Sequence, residues 1–147
     1  MKCYTIGYGG RKPNDFISLL QQHDVHLVID VRIEPTRASM GSYVKAKEPS
    51  KGIEGLLGKH GITYLHIQEL GNPYRENEKW QEPFEKHLID NGNKLLSQLV
   101  KINEPFCLLC AERRVEKDGL INCHRKVIAD YLVSMTDLGS YEFTHIE

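Results

Sequence analysis

The sequence predicts one α/β domain built on a mostly parallel sheet of about five strands, flanked by helices on both faces. Three observations carry that expectation. Short β-branched or apolar runs alternate with amphipathic stretches along the whole chain, the pattern of repeated strand–helix–strand units with right-handed crossovers. Two of the runs, Leu27-Val28-Ile29-Asp30-Val31 and Pro105-Phe106-Cys107-Leu108-Leu109-Cys110, are almost continuously apolar, as strands covered on both faces should be. Finally, 147 residues at 40% hydrophobic content are the size and composition of a single core. No internal repeat, low-complexity tract or linker divides the chain, so residues 1–147 read as one domain.

Taken in order, Tyr4 to Tyr8 reads as a short buried strand. Gly9-Gly10-Arg11 turns the chain, and Pro13 opens a helix at the position where its missing N–H costs nothing. Phe16, Leu19 and Leu20 share one face of it. Leu27 to Val31 is the second strand, with Arg32 at its end. Ile33 to Gly52 carries Pro35, Gly41 and Pro49 without sustained periodicity and is expected to be a long loop, functional or mobile. Ile53 to Lys59 is a short helix and Ile62 to Ile67 a third strand, broken by Glu69-Leu70-Gly71-Asn72-Pro73. Trp80 to Val100 is helical, with Asn91-Gly92-Asn93 expected to divide it into two helices. Pro105 to Cys110 is the fourth strand. After a polar loop from Ala111 to Asn122, a helix from His124 to Met135 places Val127, Ile128, Tyr131, Leu132 and Met135 on one side. Glu142 to Ile146 closes the sheet.

Charge and targeting signals narrow the function classes. The formal net charge of −1 provides no global field for nucleic acid or an anionic membrane, so binding to either would need a local patch. The N-terminus lacks the apolar core of a signal peptide, and no run approaches the length of a membrane span. The protein therefore reads as cytoplasmic, with no membrane partner. The four cysteines, Cys3, Cys107, Cys110 and Cys123, have no disulfide-scaffold spacing and read as reduced: free thiols, metal ligands or core filler.

In open parallel sheets, ligands bind beyond the carboxyl ends of the strands. Those ends deliver Gly7 to Arg11, Asp30 to Arg32, Glu69, and Cys110 to Glu112, with Cys123-His124-Arg125 returning at a helix start. Gly7, Gly9 and Gly10 suit either a close backbone approach to an anion or a tight turn. Asp30 and Arg32 share a strand face and make either a structural ion pair or a site where the Arg32 fork meets a phosphate or carboxylate. Cys107 and Cys110, at i and i+3 of a strand, face opposite sides and do not make a redox pair; Cys107 reads as core. Cys110 with Glu112 stands where α/β enzymes often carry a nucleophile, and Cys123 at a helix N-terminus beside Arg125 is placed to become a thiolate. His124 is either a base or a cap. A zinc set of Cys110, Cys123 and His124 would need a fourth ligand that the spacing does not provide, so no metal is assigned. The basic residues of the long loop, Arg37, Lys45, Lys47 and Lys51, and those near the cysteines, Arg113, Arg114, Lys117 and Lys126, are either the rim of an anion site or a solvated face.

Thr5-Ile6-Gly7-Tyr8, Asp30-Val31-Arg32, Glu69-Leu70-Gly71, Cys110-Ala111-Glu112 and Cys123-His124-Arg125, in this order and spacing, resemble the bacterial and archaeal family called domain of unknown function 488. The likeness spans nearly the whole chain and implies an α/β domain of this length with no established activity. The family usually shows His-Ser after the first glycine, where this chain has Tyr8-Gly9. Val28 to Arg32 followed by a strand ending in Cys110 is also similar to rhodanese-like sulfurtransferases. Their catalytic loops, however, are short and lead straight into a helix, whereas here Ala111 to Asn122 intervenes.

The leading expectation is an enzyme acting on an anionic, phosphorylated or nucleotide-like substrate. In it Gly7, Arg11, Asp30, Arg32, Glu69 and Arg125 line the binding site, and Cys110, Glu112, Cys123 and His124 supply chemistry. The alternatives are a non-catalytic module binding nucleic acid or protein through the long loop, and a thiol-dependent sulfurtransferase. No cofactor and no oligomeric state can be read.

Overall fold

A computed structural model of the chain describes residues 1–136 and 140–147. Its centre is a five-stranded sheet of β1 (Lys2–Gly7), β2 (Leu27–Asp30), β3 (Thr63–His66), β4 (Cys107–Cys110) and β7 (Glu142–Ile146), in the spatial order β3-β2-β4-β1-β7. Every pairing is parallel, and Tyr4 aligns with Cys107, Gly7 with Cys110 and Asp30 with Leu109. β2 and β4, the apolar runs, are buried at every residue, while β3 and β7 at the edges alternate exposed and half-buried positions.

Helices cover both faces. On one, α1 (Pro13–Gln22) and α2 (Gly52–Gly58) pack Phe16, Leu20, Ile53 and Leu57 against Ile6, Val28, Cys107 and Leu109. On the other, α3 (Gln81–Val100) and α4 (His124–Met135) pack Phe84, Leu88, Leu96, Ile128 and Leu132 against Ile29, Leu108 and Cys110. Cys107 and Cys110 thus do face opposite sides of β4, and Cys107 is a core thiol whose pKa burial pushes up strongly. Among the described residues, no helix is long and apolar enough to cross a membrane.

Two expectations are corrected. α3 is one continuous helix, so Asn91-Gly92-Asn93 does not interrupt it. A Cβ on Gly92 would lie 2.8 Å from the Tyr131 hydroxyl, so the glycine lets α4 approach closely, and tertiary packing overrides its poor helix propensity. The Ile33–Gly52 segment is the expected long loop, and it is pinned to the domain. It contains a 3-10 turn at Gly41–Tyr43, Tyr43 is buried with its hydroxyl donating to Arg11 O (2.6 Å), and Lys45 N donates to Pro35 O (2.7 Å). The Ala111–Asn122 segment folds into a small antiparallel hairpin, β5 (Glu116–Lys117) and β6 (Leu120–Ile121), around Asp118-Gly119, both with positive φ. Asp-Gly between short strands is a hairpin signal.

This topology places a crevice at the end of β4. The connections leaving β1 and β2 pass to the α1/α2 face, whereas the chain leaving β4 passes to α4 on the other. β4 is therefore flanked on both sides by neighbours whose exits diverge from its own, the arrangement that opens a ligand crevice at the carboxyl edge of a parallel sheet.

Candidate functional site

A cavity of about 200 Å³ opens at that point. Tyr8 lines it from the end of β1, Arg32, Ile33 and Glu34 from beyond β2, Cys110, Ala111 and Glu112 from the end of β4, and Asn122, Cys123 and His124 from the start of α4. The β3–α3 connection adds Asn72, Arg75 and Trp80, and Arg37 completes the rim.

The sulfurs of Cys110 and Cys123, thirteen residues apart in sequence, lie in contact in the cavity wall. Cys3 and Cys107 are buried elsewhere in the core. The partner of Cys110 lies not three residues upstream in its own strand but beyond the hairpin, at the N-cap of α4.

His124 is fixed as well as near. Its Nε2 faces the Val31 carbonyl at 2.7 Å, and because a carbonyl only accepts, Nε2 carries the proton. Nδ1 is then the unprotonated nitrogen, 3.9 Å from Cys123 Sγ. Burial lowers the imidazole pKa to about 4, with the Arg125 charge adding to the effect, so the ring is a neutral acceptor at ordinary pH.

Arg32 is 5% exposed and Asp30 0%. Arg32 Nε donates to Asp30 Oδ1 (2.9 Å) and Nη2 to Oδ2 (2.7 Å), and the Tyr64 hydroxyl donates to Oδ2 at 2.6 Å. Burial works against the Arg32 cation, but the hydrogen bonds and charge of Asp30 more than offset it and raise the pKa above its ordinary value. The guanidinium carbon sits 5.2 Å from the Tyr8 ring centroid. One donor is left over: Arg32 Nη1 is buried and has no hydrogen-bond partner among the described residues. Native proteins rarely leave such a group unsatisfied, and on a side chain that lines a cavity it calls for an acceptor.

Of the candidate residues, the fold brings Arg32, Cys110, Glu112, Cys123 and His124 to this cavity, whereas Gly7, Arg11, Asp30, Glu69 and Arg125 do not line it. Gly7 and Gly9 let β1 run against the chain leaving β4. Gly9 N donates to Ala111 O (2.8 Å), and a Cβ on Gly7 would overlap the Glu112 carbonyl. Arg11 Nε donates back to Gly7 O (2.9 Å) and Nη2 to Ile146 O (3.4 Å), so it ties β1 to β7. Asp30 acts through Arg32. Glu69 lies on the exposed turn Gln68–Leu70, beside a separate shallow depression.

Arg125 is 0% exposed and braces the site from beneath. Nε donates to Thr5 Oγ1 (3.1 Å), Nη2 to Arg113 O (3.1 Å), and Nη1 to Glu112 O and to Cys110 Sγ (2.9 Å). Burial, the largest influence, lowers its pKa to about 10, which leaves it charged at neutral pH. The Thr5 hydroxyl in turn meets His145 Nδ1 at 2.7 Å.

Tyr8, Asn72, Arg75, Trp80 and Asn122 were not foreseen in the cavity wall. Asn72 is buried, and its Oδ1 accepts from Tyr74 N (2.9 Å); a polar residue within a Gly-Asn-Pro turn was the available signal. Among the described residues, no group of three or more His, Cys, Asp or Glu side chains is arranged to hold a metal ion.

The molecule is thus a parallel α/β protein with a thiol-bearing, arginine-lined cavity at its topological switch point. The profile of the family described as "Domain of unknown function DUF488" matches residues 12–132, and the chain belongs to that family. The match takes in the motifs at Asp30–Arg32, Glu69–Gly71, Cys110–Glu112 and Cys123–Arg125; Thr5–Tyr8 precedes it. No curated protein and no solved structure matches the chain.

Proposed function

We propose that this protein is an enzyme that binds a small anionic substrate in the cavity at the end of β4 and attacks it with a thiol. The observation that carries the reading is one coincidence: the buried, unpartnered Arg32 Nη1 belongs to a side chain lining the same cavity as Cys110 and Cys123. Arg32 would meet the anion, Cys123 would act as nucleophile once its thiol has lost a proton to solvent, and the neutral His124 Nδ1 would orient that thiol as a hydrogen-bond acceptor. The α4 N-terminus favours the thiolate that results. Asp30 and Tyr64 position Arg32, and Arg125 positions the strand end carrying Cys110. Drug-sized ligands occupy pockets of roughly 300–1,000 Å³. A volume of about 200 Å³ therefore favours a phosphate- or carboxylate-sized group over an entire nucleotide.

The test compares two alkylating agents of similar size and opposite character, iodoacetate (anionic) and iodoacetamide (neutral), on the reduced protein. Cys123 should react with iodoacetate faster, relative to iodoacetamide, than a free thiol does. Arg32→Lys, which keeps the charge but loses the fork, should reduce that preference about tenfold, the order of one charge-assisted hydrogen bond. A preference equal to that of free cysteine in both proteins rejects the reading.

A further inference from the structure

We infer that Cys110 and Cys123 work as a reversible dithiol–disulfide couple that exchanges electrons with small anionic disulfides. The inference rests on the reading above, that the cavity admits an anion to the thiols, and adds the substrate class and the second half of the reaction.

The two sulfurs already meet, in the wall of an open cavity rather than in the core where Cys3 and Cys107 lie. Their surroundings differ in a way that suits a two-step exchange. Cys123 has a fixed, neutral imidazole acceptor beside it and stands at the N-cap of a twelve-residue helix. Cys110 instead receives a hydrogen bond from the buried Arg125 cation, which favours its thiolate without removing a proton.

In the reduced protein, the Cys123 thiol loses its proton to solvent and the thiolate attacks one sulfur of the substrate. The substrate S–S bond breaks, a mixed disulfide forms on Cys123, and the departing thiolate takes up a proton from solvent. The Cys110 thiolate then attacks Cys123 Sγ, closes the internal disulfide and expels the second substrate thiolate, which takes up the proton Cys110 had released to solvent. Overall, protein dithiol and RSSR become protein disulfide and two RSH, with two electrons passing to the substrate. An added dithiol such as dithiothreitol drives the protein back.

The probes are dithiodiglycolate, a disulfide with a carboxylate at each end, and cystamine, a disulfide of similar size with an ammonium at each end. Reduced wild-type protein should lose two hydrogens by intact mass and release two equivalents of thioglycolate per protein, and dithiothreitol should reverse this. Cys110→Ser should stop at a single mixed disulfide on Cys123, with one equivalent released. Arg32→Lys should slow the reaction with dithiodiglycolate about tenfold while sparing cystamine, whose unchanged rate also reports an intact fold.

If wild type accumulates mixed disulfides that never resolve, or if Cys110→Ser releases as much thioglycolate as wild type, the couple is overturned. An iodoacetate preference surviving that result would leave the anion-directed thiol reading standing. Equal rates with both disulfides, unchanged by Arg32→Lys, overturn the anionic substrate class.

Discussion

Two buried arginines flank the end of β4, and the fold treats them in opposite ways. Arg125 has no carboxylate partner, yet each of its nitrogens is satisfied by neutral acceptors: a hydroxyl, two carbonyls and a sulfur. Arg32 has a carboxylate gripping it through two nitrogens, yet its third nitrogen has nothing. A charge surrounded by fixed dipoles, with four of its five N–H donors engaged, is a strut, because it has little capacity left for a ligand. A charge already neutralised whose third nitrogen makes no hydrogen bond among the described residues stands under a different constraint. Satisfaction, more than burial or charge, separates the two roles.

The comparison breaks most readily at Arg125. Arg125→Leu leaves the carbonyls of Glu112 and Arg113 and the Thr5 hydroxyl without their donor, and it should cost about 4 kcal/mol in urea denaturation. A loss below about 1 kcal/mol would mean that water replaces the guanidinium and that Arg125 is no strut. Asp30→Asn should cost about 3 kcal/mol, because Arg32 stays buried without its counter-charge. Adding inorganic phosphate should then raise the melting temperature of Asp30→Asn more than that of the parent, since an anion can supply the missing charge. Equal shifts would place any anion bound away from Arg32.

The two arginines also mark where the sequence stops being informative. Strand exits and the helix start of α4 were legible because buried runs such as Leu27–Asp30 and Cys107–Cys110, Pro13, and the turn at Gly71-Asn72-Pro73 carry local physical signals. The rule for parallel sheets then sufficed to bring Cys110, Cys123 and Arg32 to one edge. Which arginine is saturated was not legible, since the acceptors of Arg125 are backbone carbonyls in a segment whose path depends on the Asp118-Gly119 hairpin. The Cys110–Cys123 contact was hidden for the same reason: that hairpin returns the chain to the strand end it left. Gly92 shows the converse failure, a local breaker signal overruled by the approach of Tyr131.

His124 links the two networks, because Arg125 and Asp30, the partner of Arg32, both influence it. Asp30 raises its pKa, Arg125 lowers it, the Val31 carbonyl raises it, and burial dominates, for a result near 4. The unfolded chain takes up this proton near 6.5 and the folded one only near 4, so between those values the unfolded state binds more protons. Stability therefore falls as pH drops from about 6.5 to about 4 and levels off below. The full shift would correspond to roughly 3 kcal/mol, and since the ring borders an open cavity, about 2 kcal/mol is expected. His145, also lowered chiefly by burial, acts in the same direction and stays in place in His124→Gln. That variant should thus lose about 2 kcal/mol less on acidification than wild type; identical acid profiles would mean that His124 is not the neutral acceptor assigned here.

The smallest effect belongs to Tyr8, and it tests whether the unsatisfied state of Arg32 is eased by something other than hydrogen bonds. The Tyr8 ring lies 5.2 Å from the guanidinium carbon and stacks on Tyr43 at 4.6 Å, so its π face is an electron-rich surface beside Arg32 in addition to the Asp30 carboxylate. A cation over an aromatic face at this degree of burial is worth about 1 kcal/mol. Tyr8→Phe keeps the ring and should leave stability nearly unchanged, while Tyr8→Leu should lose about 1 kcal/mol, measured by denaturant unfolding with and without phosphate. If an anion and the ring compensate the same charge, phosphate should narrow the gap between Tyr8→Leu and Tyr8→Phe. A gap that phosphate leaves untouched would assign the loss to packing against Tyr43 and remove the ring from the account of Arg32.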